Sequence, residues 1–257
     1  MKCKGLKSRI RNNKLTIGTW LTIGHTSVVE VLAQAGFDWI AIDVEHNLIN
    51  PDMLRQLIIT GQSKGVSMFV RIVKNDEVYL KYALDAGADG IICPMVNSID
   101  DTENLISYSY YPPKGKRGVG LSRAQDYGNK FKDYMNWVEK ELVIIGQIEH
   151  INAINNIDQI TCVEEIDAFM IGPYDLSASL GVPGQFDQEN VKKAIEKFNK
   201  TCKRNNKSSG IHIVPIEEDR LKKAIDQDYK FIAFGTDFNF MKSNFEIVRN
   251  IKWQKNF

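Results

Sequence analysis

The residues of this chain that could do chemistry sit at the polar ends of short apolar runs. One run ends Asp43-Val44-Glu45-His46, a second carries Arg71, and a third ends Gln147-Ile148-Glu149. A fourth leads into Gly172-Pro173-Tyr174-Asp175, and the last ends Gly235-Thr236-Asp237. Asp85 stands just before Gly87. Glu149 and Asp175, completed by waters and substrate oxygens, can form the hard-oxygen shell that Mg²⁺ or Mn²⁺ prefers. His46 titrates near neutrality and suits a general base, and Asp43 is close enough in sequence to orient its ring. Arg71 offers a planar fork matched to a carboxylate or a developing oxyanion. Together, metal, base and arginine suit proton removal or carbon–carbon cleavage beside a carbonyl, through an enolate held on the metal. A Schiff-base route needs a desolvated lysine instead. Lys74, followed directly by Asn75-Asp76, reads as solvated.

For such residues to converge, something rigid must bring several strand ends together. Apolar β-branched runs are read as strands at 16–21, 39–44, 68–73, 90–95, 142–148, 168–171, 210–214 and 231–234. Most are continuously apolar, as expected of parallel strands covered on both faces. Helices are read between them. Ser27-Val-Val-Glu30 reads as a capping box, and Asn50-Pro51 as a cap followed by a first-turn proline. Further helices fit 78–86, 99–108, 153–160, 189–203 and 218–225. Eight alternations predict a (β/α)8 TIM barrel, with catalytic groups at the carboxyl ends of its strands. An open doubly wound sheet is the competing arrangement, but no GxGxxG follows the first strand. Two connections are long, 97–141 and 173–209, and long loops on a rigid scaffold tend to serve function or an interface.

At 257 residues the chain fits one such barrel as a single domain, 1–257. Lys+Arg 33 against Asp+Glu 32 argues against a broad nucleic-acid surface. No apolar run reaches the roughly 18 residues of a spanning helix, and the basic start MKCKGLKSRIRNNKL lacks the apolar core of a secretory signal. Cys3, Cys93, Cys162 and Cys202 form no CxxC pair and fit a reducing compartment. A soluble cytoplasmic protein with no nucleic-acid or membrane partner is the expectation.

The same stretches carry a family resemblance. Gly18-Thr-Trp20, Ala35-Gly-Phe-Asp-Trp-Ile-Ala-Ile-Asp-Val-Glu-His46, Val70-Arg-Ile72, Asp85-Ala-Gly-Ala-Asp-Gly-Ile91, Gln147-Ile-Glu149 and Gly172-Pro-Tyr-Asp-Leu-Ser-Ala-Ser-Leu-Gly181 resemble the HpcH/HpaI family of metal-dependent pyruvate aldolases. So does the loop Arg117-Gly-Val-Gly120 with Arg123-Ala124 and Tyr127-Gly128. The likeness spans roughly residues 15 to 240, and the DxEH and GPxDLxxSLG segments are its specific parts. It implies Glu149 and Asp175 as ligands of a divalent metal (Mg²⁺ or Mn²⁺, with Co²⁺ a further candidate) and no organic cofactor. It implies Gln147 and the backbone at Tyr174 as contacts to a 2-oxo acid. His46 would accept the proton, its basicity raised by Asp85 with Asp43 nearby, and Arg71 would stabilise the enolate. The implied reaction splits a 4-hydroxy-2-oxo acid, such as a 2-oxo-3-deoxy sugar acid or diacid, to pyruvate and an aldehyde, and runs in reverse. The implied assembly is a homohexamer, a trimer of dimers, with residues 237–257 packed on a neighbouring subunit.

The chain departs from the family's pattern at three histidines. His150 follows Glu149 where a small hydroxyl residue is common, His25-Thr26 replaces a proline-containing turn, and His212 reads as a satisfied interior residue. Three other readings stay open. An oxaloacetate decarboxylase would use the same enolate. An acyl-CoA-type lyase would need Lys114, Lys116, Arg117 and Arg123 as a phosphate groove. A non-catalytic barrel would not need Glu149, Asp175 and His46, all of which are present.

Overall fold

Eight parallel strands close on themselves in sequence order: β1 (Thr16–Leu21), β2 (Trp39–Asp43), β3 (Ser67–Arg71), β4 (Gly90–Cys93), β5 (Val143–Ile148), β6 (Ala168–Ile171), β7 (Ser208–Ile213) and β8 (Phe231–Thr236). The computed structural model describes residues 5–243 and Phe245. Pairing of β8 with β1, Thr16 opposite Phe231, seals the cylinder and rules out an open sheet. The architecture is a (β/α)8 TIM barrel. All eight predicted strands are present, with ends shifted by up to two residues.

Strand parity explains why the runs are apolar throughout. Ile40, Ile42, Met68, Val70, Ile144 and Phe169 face the helices. Trp39, Ala41, Phe69, Ile145, Met170 and Phe231 face inward and fill the barrel. Inside, Trp39 stacks between Phe69 and Phe231, with centroids 5.6 and 4.4 Å away and planes 8° from parallel. Three glycines make this possible. Gly18 is the register partner of Trp39, Gly90 of Phe69 and Gly210 of Phe231. A Cβ on Gly18 would lie 2.1 Å from the Trp39 ring. Large rings against absent side chains are how a narrow barrel fills its cross-section.

Between the strands run α2 (Thr26–Ala33), α3 (Pro51–Ser63), α4 (Glu77–Asp85), α5 (Ile99–Ser109), α10 (Glu189–Arg204) and α11 (Glu218–Asp226), near the predicted positions. The predicted helix 153–160 forms two short turns, α7 (Ile151–Asn155) and α8 (Ile157–Thr161). Asn50 caps α3 as expected, accepting from Met53 N–H at 2.9 Å. The capping box at Ser27 is corrected: α2 starts earlier, and His25 is its cap, with Nδ1 accepting from Ser27 N–H at 3.2 Å. Helix α6 (Phe131–Glu141), inside the long connection, has no side-chain cap to announce it. The other α-helices among the described residues are α1 (Leu6–Arg11), α9 (Pro173–Ser179) and α12 (Asp237–Lys242). Beyond α12, the predicted intersubunit segment falls outside the described residues except for Ser243 and Phe245. Among the described residues, no helix is long and apolar enough to cross a membrane.

Candidate active site

The alternation that points Trp39, Phe69, Ile145 and Met170 inward continues to the strand ends, where it makes the same inward positions polar. One step up from the aromatic layer stand Trp20, Asp43, Arg71, Gln147, Gly172 and His212, followed by Glu149. Trp20, His46, Arg71, Gln147, Met170, Tyr174, Asp175, His212 and Val214 line a cavity of about 150 Å³ at this mouth.

Arg71 is clamped rather than free. Its Nε and Nη2 reach the two Asp43 oxygens at 2.9 and 2.8 Å, a bidentate fork. Nε also lies 3.3 Å from Glu45 Oε2, and the guanidinium covers the Trp20 ring at 4.4 Å. Held on one edge, it presents Nη1 without a partner among the described residues. Asp43 stays ionised: burial pushes its carboxyl up, but the Arg71 hydrogen bond and charge, with two backbone N–H groups, bring it below the usual range. Glu45 goes the other way. Burial raises it to about 7, the Arg71 charge opposes, and Glu149, Asp43 and Asp175 add repulsion.

Glu149 is buried at the end of β5. Oε1 accepts from Met95 N–H at 2.7 Å, and Oε2 accepts from the Gln147 amide. Met95 reaches it from a left-handed backbone, φ 53°, uncommon for a side-chain-bearing residue. Burial raises the Glu149 carboxyl; the Met95 hydrogen bond opposes, and the like charge of Asp175 adds to the rise. A Cβ on Gly172 would fall 2.8 Å from Glu149 Cβ and 2.9 Å from Oε2, so only glycine leaves this carboxylate its place. Gln147 Oε1 and Glu45 Oε2 are buried and accept no hydrogen bond, Glu45 Oε2 keeping its ion pair with Arg71.

These features fit a divalent cation. Buried Glu149 is repelled by the like charge of the more exposed Asp175, and an uncommitted amide oxygen stands beside Glu149. Among the described residues, no three His, Cys, Asp or Glu side chains surround a common point. The protein would therefore supply Glu149 and Asp175 alone, with water and substrate oxygens completing a shell of the magnesium type.

The remaining predicted residues fall less simply. His46 lies at the cavity's edge with its side chain 66% exposed, and its nearest carboxylate is Glu45, Nε2 to Oε2 3.7 Å. Asp43 does not orient the imidazole. It accepts from the backbone N–H groups of Glu45 and His46 at 3.1 and 3.4 Å, fixing the loop that carries the histidine. Asp85 is also corrected: within the chain it accepts from Arg117 Nη2 at 2.6 Å, away from His46, because it ends an outer helix rather than a strand. Tyr174 packs edge-on against Phe186. Lys74 is exposed beside Asp76, as expected of a solvated lysine. Asp237 holds Thr22 and Ile23 N–H groups at 2.8 and 2.7 Å, closing the seam between β8 and β1.

His150 caps α7, its Nδ1 accepting from Asn152 N–H at 3.1 Å. The proposed CoA groove does not form. Arg117 is buried between Tyr111 and Tyr134 and paired with Asp85, while Arg123 is spent on Ala86 O and Gln62 at 2.7 and 2.8 Å. A larger groove of about 930 Å³ lies outside the barrel, between α3 and α6. It meets no strand end. The sequence reading missed Trp20, Glu45 and His212 as site residues, although counting inward by twos from Gly18, Asp43 and Gly210 reaches or adjoins all three.

Comparisons with known proteins find relatives over nearly the whole chain. The family described as HpcH/HpaI aldolase/citrate lyase matches residues 16–243. A hydroxypyruvate/pyruvate aldolase of Pseudomonas aeruginosa is 33% identical over 254 residues, covering 96% of this chain and 92% of that protein. A 2-keto-3-deoxy-L-rhamnonate aldolase of Escherichia coli O6:K15:H31 is 34% identical over 235 residues, covering 90% and 86%. A crystal structure of an HpcH/HpaI aldolase/citrate lyase family protein from Burkholderia cenocepacia J2315 superposes with a TM-score of 0.90 at 25% identity, over 96% of this chain and 98% of the other.

Proposed function

Because the chain belongs to the HpcH/HpaI aldolase/citrate lyase family, we propose that it is a divalent-metal-dependent aldolase, a carbon–carbon lyase that splits a 4-hydroxy-2-oxo acid into pyruvate and an aldehyde and also runs in reverse. The observation that carries this reading is the pair of mutually repelling carboxylates, Glu149 and Asp175, the second lining the strand-end cavity together with Arg71 and Gln147. Relatives acting on hydroxypyruvate or pyruvate and on 2-keto-3-deoxy-L-rhamnonate support small 2-oxo acids as the substrate class.

Glu149 and Asp175 would hold Mg²⁺ or Mn²⁺, with Co²⁺ as a substitute, and the ion would supply Lewis acidity to the 2-oxo group and its carboxylate. The chain's own residues do the rest. The Gln147 amide, through an N–H, and the backbone at Tyr174 orient the oxo acid, while Gly172 leaves the Glu149 carboxylate its place. His46 accepts the proton of the C4 hydroxyl as the C3–C4 bond breaks. The electron pair moves into C2–C3, and the charge reaching the C2 oxygen faces the unpartnered edge of Arg71. The imidazolium then returns its proton to C3, giving pyruvate, so one group serves as base and acid. Asp43 acts through Arg71 and the His46 loop. Asp85 acts on His46 only if another subunit's copy reaches it.

A homo-oligomer, hexameric by the family resemblance, belongs to the same proposal. The exposed apolar side chains of Phe238, Met241 and Phe245 near the end of the described chain support it. A single-domain chain and a cytoplasmic location are further parts of the proposal. Small-molecule substrates suffice, with no nucleic-acid or membrane partner. EDTA should abolish pyruvate release from a 2-oxo-3-deoxy sugar acid, and added Mg²⁺, Mn²⁺ or Co²⁺ should restore it. Activity that persists in chelator and is trapped by borohydride would replace this mechanism with a lysine Schiff base.

A further inference from the structure

His212 occupies an inward position of β7, two residues beyond the Gly210 that accommodates Phe231, and its ring forms part of the cavity wall with Arg71, Gln147 and Asp175. Filling this layer needs only an apolar side chain of similar size. A histidine brings two nitrogens, and the structure accounts for one. Nε2 lies 3.2 Å from the carbonyl oxygen of Gly235. A carbonyl can only accept, so Nε2 carries the hydrogen and Nδ1 holds a lone pair. Nδ1 has no partner among the described residues. Burial pushes the imidazole down to about 4; the Gly235 hydrogen bond opposes this, and the Arg71 charge lowers it further. The ring is therefore a neutral acceptor across the physiological range.

Beside it stands Trp20, edge-on at 5.7 Å between centroids. Its indole ring lines the same cavity, and its N–H is buried with no acceptor. This side of the cavity thus holds an acceptor, His212 Nδ1, and a donor, the Trp20 N–H, that no described residue pairs, and leaving the buried N–H unmatched is costly. A carboxylate or phosphate has no proton for Nδ1, and a methyl group satisfies neither atom. A hydroxyl can donate to Nδ1 and accept from an N–H.

We propose that His212, with Trp20 beside it, is a specificity-determining residue that recognises a substrate hydroxyl and favours hydroxylated substrates over their deoxy counterparts. The inference rests on the aldolase reading above. The hydroxyl can come from the 2-oxo acid, as in hydroxypyruvate, or from the aldehyde, as in glycolaldehyde.

The test uses the Mn²⁺-loaded full-length protein in the condensation direction. The readout is the ratio of kcat/KM for hydroxypyruvate over pyruvate, and for glycolaldehyde over acetaldehyde. His212→Leu should lower one of these ratios by about 10- to 10²-fold, the scale of one lost hydrogen bond to a buried group. His212→Asn, which keeps an acceptor near the Nδ1 position, should recover most of it. A fall in the first ratio puts the hydroxyl on the 2-oxo acid, and a fall in the second puts it on the aldehyde. A parallel loss on all substrates, leaving both ratios unchanged, would make His212 a packing residue and overturn the proposal. So would a wild-type protein with no preference for either hydroxylated partner. Deuterium exchange into the methyl group of pyruvate reads enolisation without any aldehyde. If wild type shows neither exchange nor aldol product, the aldolase reading fails, and that outcome is distinct from a failure of this inference.

Discussion

The two mouths of the barrel both bury charge, and they treat it in opposite ways. At the amino-terminal mouth α1 lies across the opening, with Leu6 and Ile10 joining the interior cluster. Lys7 is buried there, and its ammonium meets Asp167 at 3.0 Å, Leu142 O at 2.5 Å and Tyr110 Oη at 3.5 Å. Asp167 also accepts from Arg11 and from Ile144 N–H at 2.8 Å. Burial lowers the Lys7 pKa, and the opposite charge of Asp167 resists. At the carboxyl-terminal mouth four carboxylates, Asp43, Glu45, Glu149 and Asp175, share one arginine, and Glu45 and Gln147 each keep an oxygen that accepts no hydrogen bond. The lower mouth is a satisfied network, and its role is closure. The upper mouth is short of positive charge for its carboxylates, and a metal would supply it.

If this contrast holds, substitutions at the two ends should fail differently. Glu149→Ala should have the largest effect, lowering kcat/KM by about 10³-fold or more through loss of metal-supplied stabilisation. Titration with Mn²⁺ should show binding lost, while thermal stability holds or rises as repulsion is relieved. His46→Ala should lower turnover by about 10²–10⁴-fold with Mn²⁺ affinity intact. Loss of metal in that variant would make His46 a ligand rather than the base. Below, Asp167→Ala should cost about 3–5 kcal/mol of stability by stranding the buried Lys7, measured by urea unfolding. The fraction still folded should keep wild-type turnover. A catalytic defect there would erase the distinction between the two ends.

The smallest expected effect concerns pH. The Glu45 carboxyl sits at about 7 in the fold against an ordinary 4.5. Between those values the native state holds a proton that the unfolded chain has released. Stability of chelator-treated protein should therefore fall as pH rises from about 4.5 to 7, by at most about 3 kcal/mol. Glu45→Gln should flatten that slope, and Mn²⁺ should reduce it in wild type. A slope unchanged by both would show that the upper mouth is not short of positive charge.

Much of this was legible beforehand. Continuous apolar runs of strand length, broken by capping residues such as Asn50, dictate buried parallel strands and the helices between them, because both effects act within a few residues. The carboxylates and Arg71 could be placed because a barrel brings its strand ends to one rim. Where the reading failed, the deciding contacts were distant in sequence. Asp85 pairs with Arg117 and Arg123 with Gln62, and neither partner follows from local pattern. The nominal cap at Ser27 gave way to His25 because both residues can cap and only the loop's path selects one.

By itself, then, the sequence determined the cylinder, the inward order of large rings against glycines, and which end carries the acids, since strand parity and residue volume are local properties carried along the chain. Only the tertiary structure decided which charges are paired. Hydrogen bonds and burial depend on what the far strands bring to each atom, and so the same kinds of residue form a sealed floor at one end and an open site at the other.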